Sequence, residues 1–197
     1  MLRFEGVKSA SYVWINGNKV GYNQGGFEPA EYNITPFIKE GENDISVKVL
    51  RFSDGSYLEN QDMWRLSGIY RDVTILALPK VHIEDFYYTS DLDSEYRNAV
   101  LSIELKLKNQ DGLKASGYSL LVDVKDEEAN SILEDPLHKT VSLTGESFQK
   151  ITLETLVKNP LKWSAEYPNL YQISFVLKDE KGKTLELKKY LRLNTTF

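Results

Sequence analysis

A regular succession of short strand patterns in the second half of the chain restricts the fold more than any other feature. From Val81 onward, stretches of alternating apolar and polar residues are separated by clusters of turn-forming residues. Residues 103–108, for example, read Ile-Glu-Leu-Lys-Leu-Lys, which predicts a strand with one buried and one solvated face. Seven strands in about 110 residues favour an antiparallel sandwich of immunoglobulin type. The predicted strands are 81–90, 98–108, 117–125, 137–143, 148–156, 170–178 and 184–193.

The first part of the chain also indicates strands, but fewer of them. Asn16-Gly17 lies between two strand patterns and predicts a tight hairpin, because both residues tolerate positive φ. Residues 44–50 alternate with period two, and residues 73–78 predict a buried strand that Pro79 ends. About five strands are fewer than the eight of a closed jelly roll.

Between these strands lies the most unusual stretch, residues 51–72. It has no helical apolar period, and residues 53–56 predict a tight turn in which Gly55 is free to take positive φ. Two interpretations remain open: a loop that carries function, or a buried structural loop whose charges neutralise each other. The charged residues concerned are Asp54, Glu59, Asp62, Asp72, Arg51, Arg65 and Arg71.

Three segments together carry a resemblance to a known family. Residues 51–73 resemble the corresponding segment of large β-galactosidases of glycoside hydrolase family 2. Residues 13–24 resemble the first-domain hairpin of that family, and residues 159–171 resemble the segment before its catalytic barrel. The three occur in the family's order and spacing, so the resemblance covers nearly the whole chain.

The resemblance implies an all-β fold in two domains. Residues 1–79 are expected to form the C-terminal part of a sugar-binding-type (galactose-binding-like) jelly-roll sandwich, with its leading strands upstream. Residues 80–197 are expected to form an immunoglobulin-like β-sandwich. The incomplete sheet edge would favour pairing with another chain, and we expect a homo-oligomer.

The resemblance also implies two site residues, Asn16 and Asp62. In the family, the matching asparagine and aspartate reach the mouth of the active site and contact galactosyl hydroxyls, and the aspartate helps to hold a sodium ion. Carboxylates and amides are suitable partners for sugar hydroxyls. The family's enzymes are longer than this chain, so the resemblance implies that the chain is a fragment of a longer parent enzyme. Sodium and magnesium are expected as cofactors of that parent enzyme, and no cofactor is expected in the fragment.

The residues alone leave structural interpretations open. Turn geometry explains Asn16 without a ligand, and Asp62 could pair with Arg65 or Arg71. Tryptophans are more often core residues than sugar platforms, which applies to Trp14, Trp64 and Trp163. The sequence departs from the family pattern at Ser11, at Gly26 and over residues 191–197.

Catalysis is not expected from this fragment. Retaining glycoside hydrolysis needs two carboxyl groups about 5 Å apart, which the family supplies from a TIM barrel. No stretch alternates strand with amphipathic helix, so no barrel is predicted. His82 and His138 are predicted to be strand or surface residues without a ligand role. The resemblance implies that the longer parent protein is a retaining β-galactosidase, and the absence of a predicted barrel makes this chain a non-catalytic part of it.

Composition excludes other classes of function. The 24 basic and 29 acidic residues give a net charge of −5, so nothing indicates nucleic-acid binding. No apolar run is long enough for a membrane-spanning helix. The chain has no cysteine, which excludes disulfides and thiolate metal sites. The compartment stays open, with the cytoplasm favoured over the periplasm.

Two further functions remain possible on the sequence. The chain could be a stand-alone carbohydrate-binding module in which Trp14, Tyr22, Tyr57 or Trp64 stacks on sugar rings. It could also be a structural interaction domain that drives oligomer assembly.

Overall fold

A computed structural model describes residues 1–59, 61–62, 64–112 and 114–193, with side chains as far as residue 188. The chain forms two compact units, Met1–Leu78 and Pro79–Phe197. Strands dominate both units, and the predicted all-β fold class is confirmed.

The first unit contains three small antiparallel sheets in its described part. Their strand orders are β5-β1-β8, β4-β3-β6 and β2-β7. The elements are β1 (Leu2–Phe4), β2 (Val7–Lys8), β3 (Ala10–Ile15), β4 (Asn18–Asn23), β5 (Ala30–Tyr32), a 3₁₀ helix (Thr35–Phe37), β6 (Ile45–Leu50), α1 (Asp54–Leu58), β7 (Gly68–Ile69) and β8 (Val73–Ile75).

The predicted hairpin joins β3 to β4. Ile15 pairs with Asn18, so Asn16 and Gly17 form a two-residue turn with φ of 50° and 78°. These left-handed conformations explain why this dipeptide ends the strand. The buried core of the unit comprises Leu2, Phe4, Val7, Val13, Ile15, Ala30, Tyr32 and Ile34.

Two local predictions for this unit were wrong. The segment 73–78 is not a buried strand: among the described strands β8 pairs with β1 alone, and all three of its side chains are exposed. The predicted turn at 53–56 is the start of helix α1, in which the Ser53 N–H donates to Ser56 Oγ at 3.1 Å. This local bond satisfies a backbone donor at the helix start. Gly55 lies within the helix and does not have positive φ.

The second unit is a sandwich with seven strands in its described part. One sheet has the order β13-β10-β9 and the other β12-β11-β14-β15, with all neighbouring strands antiparallel. Three and four strands per sheet match the immunoglobulin-like architecture. The strands are β9 (Val81–Leu92), β10 (Ala99–Asn109), β11 (Lys114–Lys125), β12 (Leu137–Thr144), β13 (Phe148–Val157), β14 (Tyr171–Lys178) and β15 (Thr184–Leu193).

Alternating side chains from both sheets build the core of this sandwich. Strand β10 buries every second residue, as predicted, and Phe175 on β14 packs with its ring centre 4.9 Å from that of Phe86. Trp163 was predicted to be a core residue, but it is half-buried and bridges to Pro168 outside the buried core cluster.

Both histidines lie on strands of the second unit. His82 is buried on β9, where its Nδ1–H donates to the Pro79 carbonyl at 2.7 Å and Nε2 lies 3.2 Å from Glu84 Oε2. His138 is exposed on β12. Both ring nitrogens of His82 therefore lie next to oxygen atoms of the same unit.

Candidate functional site

Segment 51–72 exposes three of its four aromatic side chains, those of Phe52, Tyr57 and Trp64, whereas Tyr70 is half-buried. Trp64 is 82% exposed and Tyr57 is 81% exposed, so the interpretation of Trp64 as a core residue was wrong. Trp14 is half-buried on β3, with its ring centre 5.9 Å from that of Tyr12. Exposed aromatic side chains on one loop are unusual for a purely structural segment and indicate a surface that contacts another molecule or another part of the protein.

The charges of this segment are not paired with one another. Among its described residues no carboxylate forms an ion pair, so the structure does not support a loop of mutually neutralised charges. Two arginines instead lie over neighbouring rings: the Arg51 guanidinium is 5.5 Å from the centre of the Phe52 ring, and that of Arg71 is 5.3 Å from the Tyr70 ring.

Asp62 is exposed, with φ of 46°. In the described part of the chain its carboxylate makes no ion pair, so the alternative pairing with Arg65 or Arg71 is not present there. A left-handed backbone at a residue other than glycine is uncommon, although Asp adopts it more readily than most residues do. The side chain therefore offers one uncommitted carboxylate to whatever approaches the loop.

Asn16 is half-buried, and its side-chain amide is largely committed. Its Nδ2 donates to the Phe37 carbonyl at 2.9 Å and to Asn43 Oδ1 at 2.8 Å, while its Oδ1 accepts the Asp44 N–H at 3.0 Å. An amide has two donors and two acceptor lone pairs. After these three bonds, Asn16 retains one acceptor position and no free donor.

A cavity of about 450 Å³ lies beside helix α1. Its wall contains three cations, Lys8, Arg51 and Arg65, and the apolar side chains Phe52, Tyr57 and Leu66. Neither Asn16 nor Asp62 lines it. The structure thus brings together a set of residues that the sequence reasoning did not identify, and it does not place the two predicted site residues in the same cavity.

The resemblance implies a bound sodium ion, and the structure shows which oxygen atoms of this chain could bind it. Asp62 can supply one carboxylate oxygen, which suits a hard cation. Within residues 1–59, 61–62, 64–112 and 114–193 no group of three or more His, Asp or Glu side chains could hold a metal ion. The remaining ligands would have to come from another part of the protein.

The described residues contain no helix long and apolar enough to cross a membrane.

Comparison with known protein families assigns both units. Residues 1–79 match the family described as "Glycosyl hydrolases family 2, sugar binding domain", and residues 81–190 match "Glycosyl hydrolases family 2". The chain belongs to glycosyl hydrolase family 2. This confirms the resemblance and agrees with the all-β architecture of both units.

Known relatives of this family 2 chain are longer proteins. It is 43% identical over 185 residues to a β-galactosidase of Priestia megaterium, covering 94% of the chain and 18% of that protein. A β-galactosidase of Photobacterium profundum is 41% identical over 188 residues, covering 95% and 18%. The chain therefore spans about a fifth of the length of these curated relatives.

Solved structures show the same fold. A β-glucuronidase of Bacteroides uniformis superposes with a TM-score of 0.85 at 26% identity, covering 96% of this chain and 23% of that one. A protein described as a β-galactosidase from Bacteroides fragilis gives a TM-score of 0.82 at 24% identity, covering 96% and 29%. Each of these two alignments includes residues of both units.

Proposed function

We propose that this chain is a non-catalytic region of a retaining β-galactosidase that hydrolyses terminal β-D-galactosides, and that segment 51–72 belongs to the rim of its active site. The observation that carries the proposal is the uncommitted carboxylate of Asp62 on an exposed aromatic loop of a chain about 40% identical to β-galactosidases. The catalytic carboxyl pair would lie in another part of the protein.

In this proposal Asp62 accepts hydrogen bonds from galactosyl hydroxyls and contributes one oxygen ligand to sodium. Hydrogen bonds to a charged acceptor are about twice as strong as neutral ones, so a single carboxylate can contribute substantially to substrate binding. Asn16 has a narrower role: with both N–H groups bonded internally, its Oδ1 can only accept from a sugar hydroxyl. Magnesium and a homo-oligomeric state are expected of the whole enzyme, not of this chain by itself.

The test is Asp62→Asn in the longer enzyme that contains this chain. We expect kcat/KM for a galactoside to fall about ten-fold or more and activation by sodium to be lost, because the charged acceptor is removed while side-chain shape is kept. Asp72→Asn is the matched control, since Asp72 is an exposed carboxylate at the other end of the same segment. Equal kinetics and sodium response in both variants and the wild type would refute the role of Asp62.

A second candidate is a stand-alone carbohydrate-binding module, favoured by the exposure of Tyr57 and Trp64. Sugars stack on exposed aromatic faces, which would change tryptophan fluorescence. Titration of the 197-residue chain with galactose and lactose separates the two functions. Saturable binding at millimolar concentration or below would support the module, whereas no response together with no hydrolysis of a chromogenic galactoside would support the rim role.

A further inference from the structure

Lys8 is a buried cation without a hydrogen-bond partner. The residue is 3% exposed, and in the described structure its Nζ makes no hydrogen bond. Its Nζ lies over the Phe27 ring, 4.3 Å from the ring centre, so a cation–π contact partly stabilises the ammonium group. Buried charges are ordinarily paired, because an isolated ion loses the solvation that water provides.

The surroundings of Lys8 hold the side chain in this position. An ideal Cβ built on Gly26 would lie 3.1 Å from Lys8 Cγ, so any larger residue at this position would press on the lysine stem. Gly26 is one of the positions at which the sequence departs from the family pattern. The structure therefore accommodates a buried lysine here through a residue that has no side chain.

The cavity beside Lys8 adds two more cations. Arg51 and Arg65 line the same 450 Å³ space, and among the described residues no carboxylate lines it. Ser9 and Gln61 contribute hydrogen-bonding groups to the wall. Arg51 and Arg65 are exposed, whereas the Lys8 ammonium is buried behind the wall. Three positive charges at one concave space create a positive potential that attracts anions.

We propose that this cavity is an oxyanion-binding site, which takes either a free oxyanion such as sulfate or the carboxylate of an acidic sugar. Guanidinium groups bind carboxylate and sulfate oxygens with paired N–H donors, and lysine adds a point charge. The volume lies in the range of small-molecule sites, and Phe52, Tyr57 and Leu66 provide apolar wall next to the charges. Asn16 and Asp62 do not line the cavity, although most of its wall belongs to the same segment 51–72.

The experiment is isothermal titration of the 197-residue chain with sodium sulfate, sodium D-glucuronate and D-glucose at constant ionic strength. We expect one saturable site for sulfate, for glucuronate or for both, and no binding of glucose. Tighter binding of glucuronate identifies an acidic sugar as the ligand, and tighter binding of sulfate identifies a free oxyanion.

Variants connect the binding to the cavity. Lys8→Met keeps the stem but removes the charge and should weaken anion binding about ten-fold or more. Lys19→Met is the matched control, because Lys19 also lies over a ring, that of Tyr12 at 4.6 Å, but is outside the cavity. Arg51→Gln, at an exposed position, provides an independent test should Lys8→Met fold poorly, and it should also weaken binding.

Three outcomes would overturn the proposal. The first is that the wild-type chain binds neither anion. The second is that glucose binds as well as glucuronate. The third is that the folded Lys8→Met or Arg51→Gln variant binds as tightly as Lys19→Met. Galactose binding and the sodium response of the longer enzyme are separate measurements, so failure here leaves the proposed role of Asp62 to be judged independently.

Discussion

Glu186 connects the two sheets of the second unit through one buried carboxylate. Its Oε2 accepts the Ile83 N–H at 2.7 Å, and its Oε1 lies 3.2 Å from Lys188 Nζ. Lys188 Nζ also donates to the Ile83 carbonyl. Residues 83 and 186 are 103 positions apart and belong to β9 and β15, which lie in different sheets. We predict that Glu186→Ala destabilises this unit more than any exposed ion-pair substitution in it.

The magnitude follows from the groups left without their partner. A hydrogen bond from a buried N–H to a charged acceptor contributes about 1.5–3 kcal/mol to stability. Removing one partner of a fully buried ion pair costs about 3–5 kcal/mol. The Lys188 side chain is 24% exposed, so water can replace part of its lost interaction. We therefore expect about 3 kcal/mol for Glu186→Ala, which for a unit of this size lowers Tm by roughly 10 °C.

The assay is urea unfolding followed by circular dichroism, with exchange of the Ile83 amide hydrogen measured by NMR. Glu186→Gln retains an acceptor and should cost about 1–2 kcal/mol, since only the charge is lost. Glu104→Ala is the control: its ion pair with Lys150, at 2.8 Å, is exposed and contributes about 0–1 kcal/mol. A double substitution with Lys188→Met should cost less than the sum of the single ones, because both partners are then removed. The reasoning is refuted if Glu186→Ala and Glu104→Ala differ by less than about 0.5 kcal/mol.

Three further predictions concern single side chains. Tyr171→Phe should destabilise the second unit by about 1–2 kcal/mol in urea unfolding, because the Tyr171 hydroxyl accepts the Leu161 N–H at 2.6 Å. Asn16→Ala should destabilise the first unit by about 2 kcal/mol, and Asn16→Gly by less, because glycine keeps the left-handed turn although it also loses the amide bonds. The pKa of the Asp93 carboxyl is lowered, chiefly by the hydrogen bond from the Arg97 N–H and to a smaller extent by the hydrogen bonds from Asn98. The stabilisation of the folded state by the Asp93 carboxylate is therefore present above the unfolded pKa of about 4 and is lost as pH falls through the lowered folded pKa. An NMR titration of the wild type, with Asp93→Asn for comparison, would detect this loss.

Local pattern was sufficient to predict the strands of the second unit. The predicted strand 148–156 is observed as Phe148–Val157, and the predicted 117–125 is observed as Lys114–Lys125. Such strands are determined by side-chain alternation and by the turn residues at their ends, and both can be read within about ten positions of sequence. The hairpin at Asn16-Gly17 was predictable for the same reason.

Burial was not predictable where it depends on distant elements. The apolar residues of β8 have the composition of a buried strand, but their exposure is decided by what covers the sheet. For Lys8 the error is in the other direction: a lysine is expected to be exposed, but this one is buried next to Phe27 and Gly26. The cavity combines residues from around positions 8, 51 and 65, which no local pattern connects.

The commitment of the Asn16 donors leads to a last prediction, which depends on the proposed rim function. Asn16 offers only an acceptor, and the Asp62 carboxylate also only accepts, so every sugar hydroxyl that either residue contacts must donate its proton. Replacing such a hydroxyl by fluorine, which cannot donate, should then weaken binding to the longer enzyme as much as replacing it by hydrogen, about ten-fold or more for a hydroxyl bonded to the carboxylate. Inhibition constants of deoxy and deoxyfluoro galactosides provide the comparison, with Asp62→Asn as the variant in which the loss should be smaller. Retention of affinity by the fluorinated sugars, with loss for the deoxy sugars, would mean that the protein donates to these hydroxyls and that neither residue is their partner.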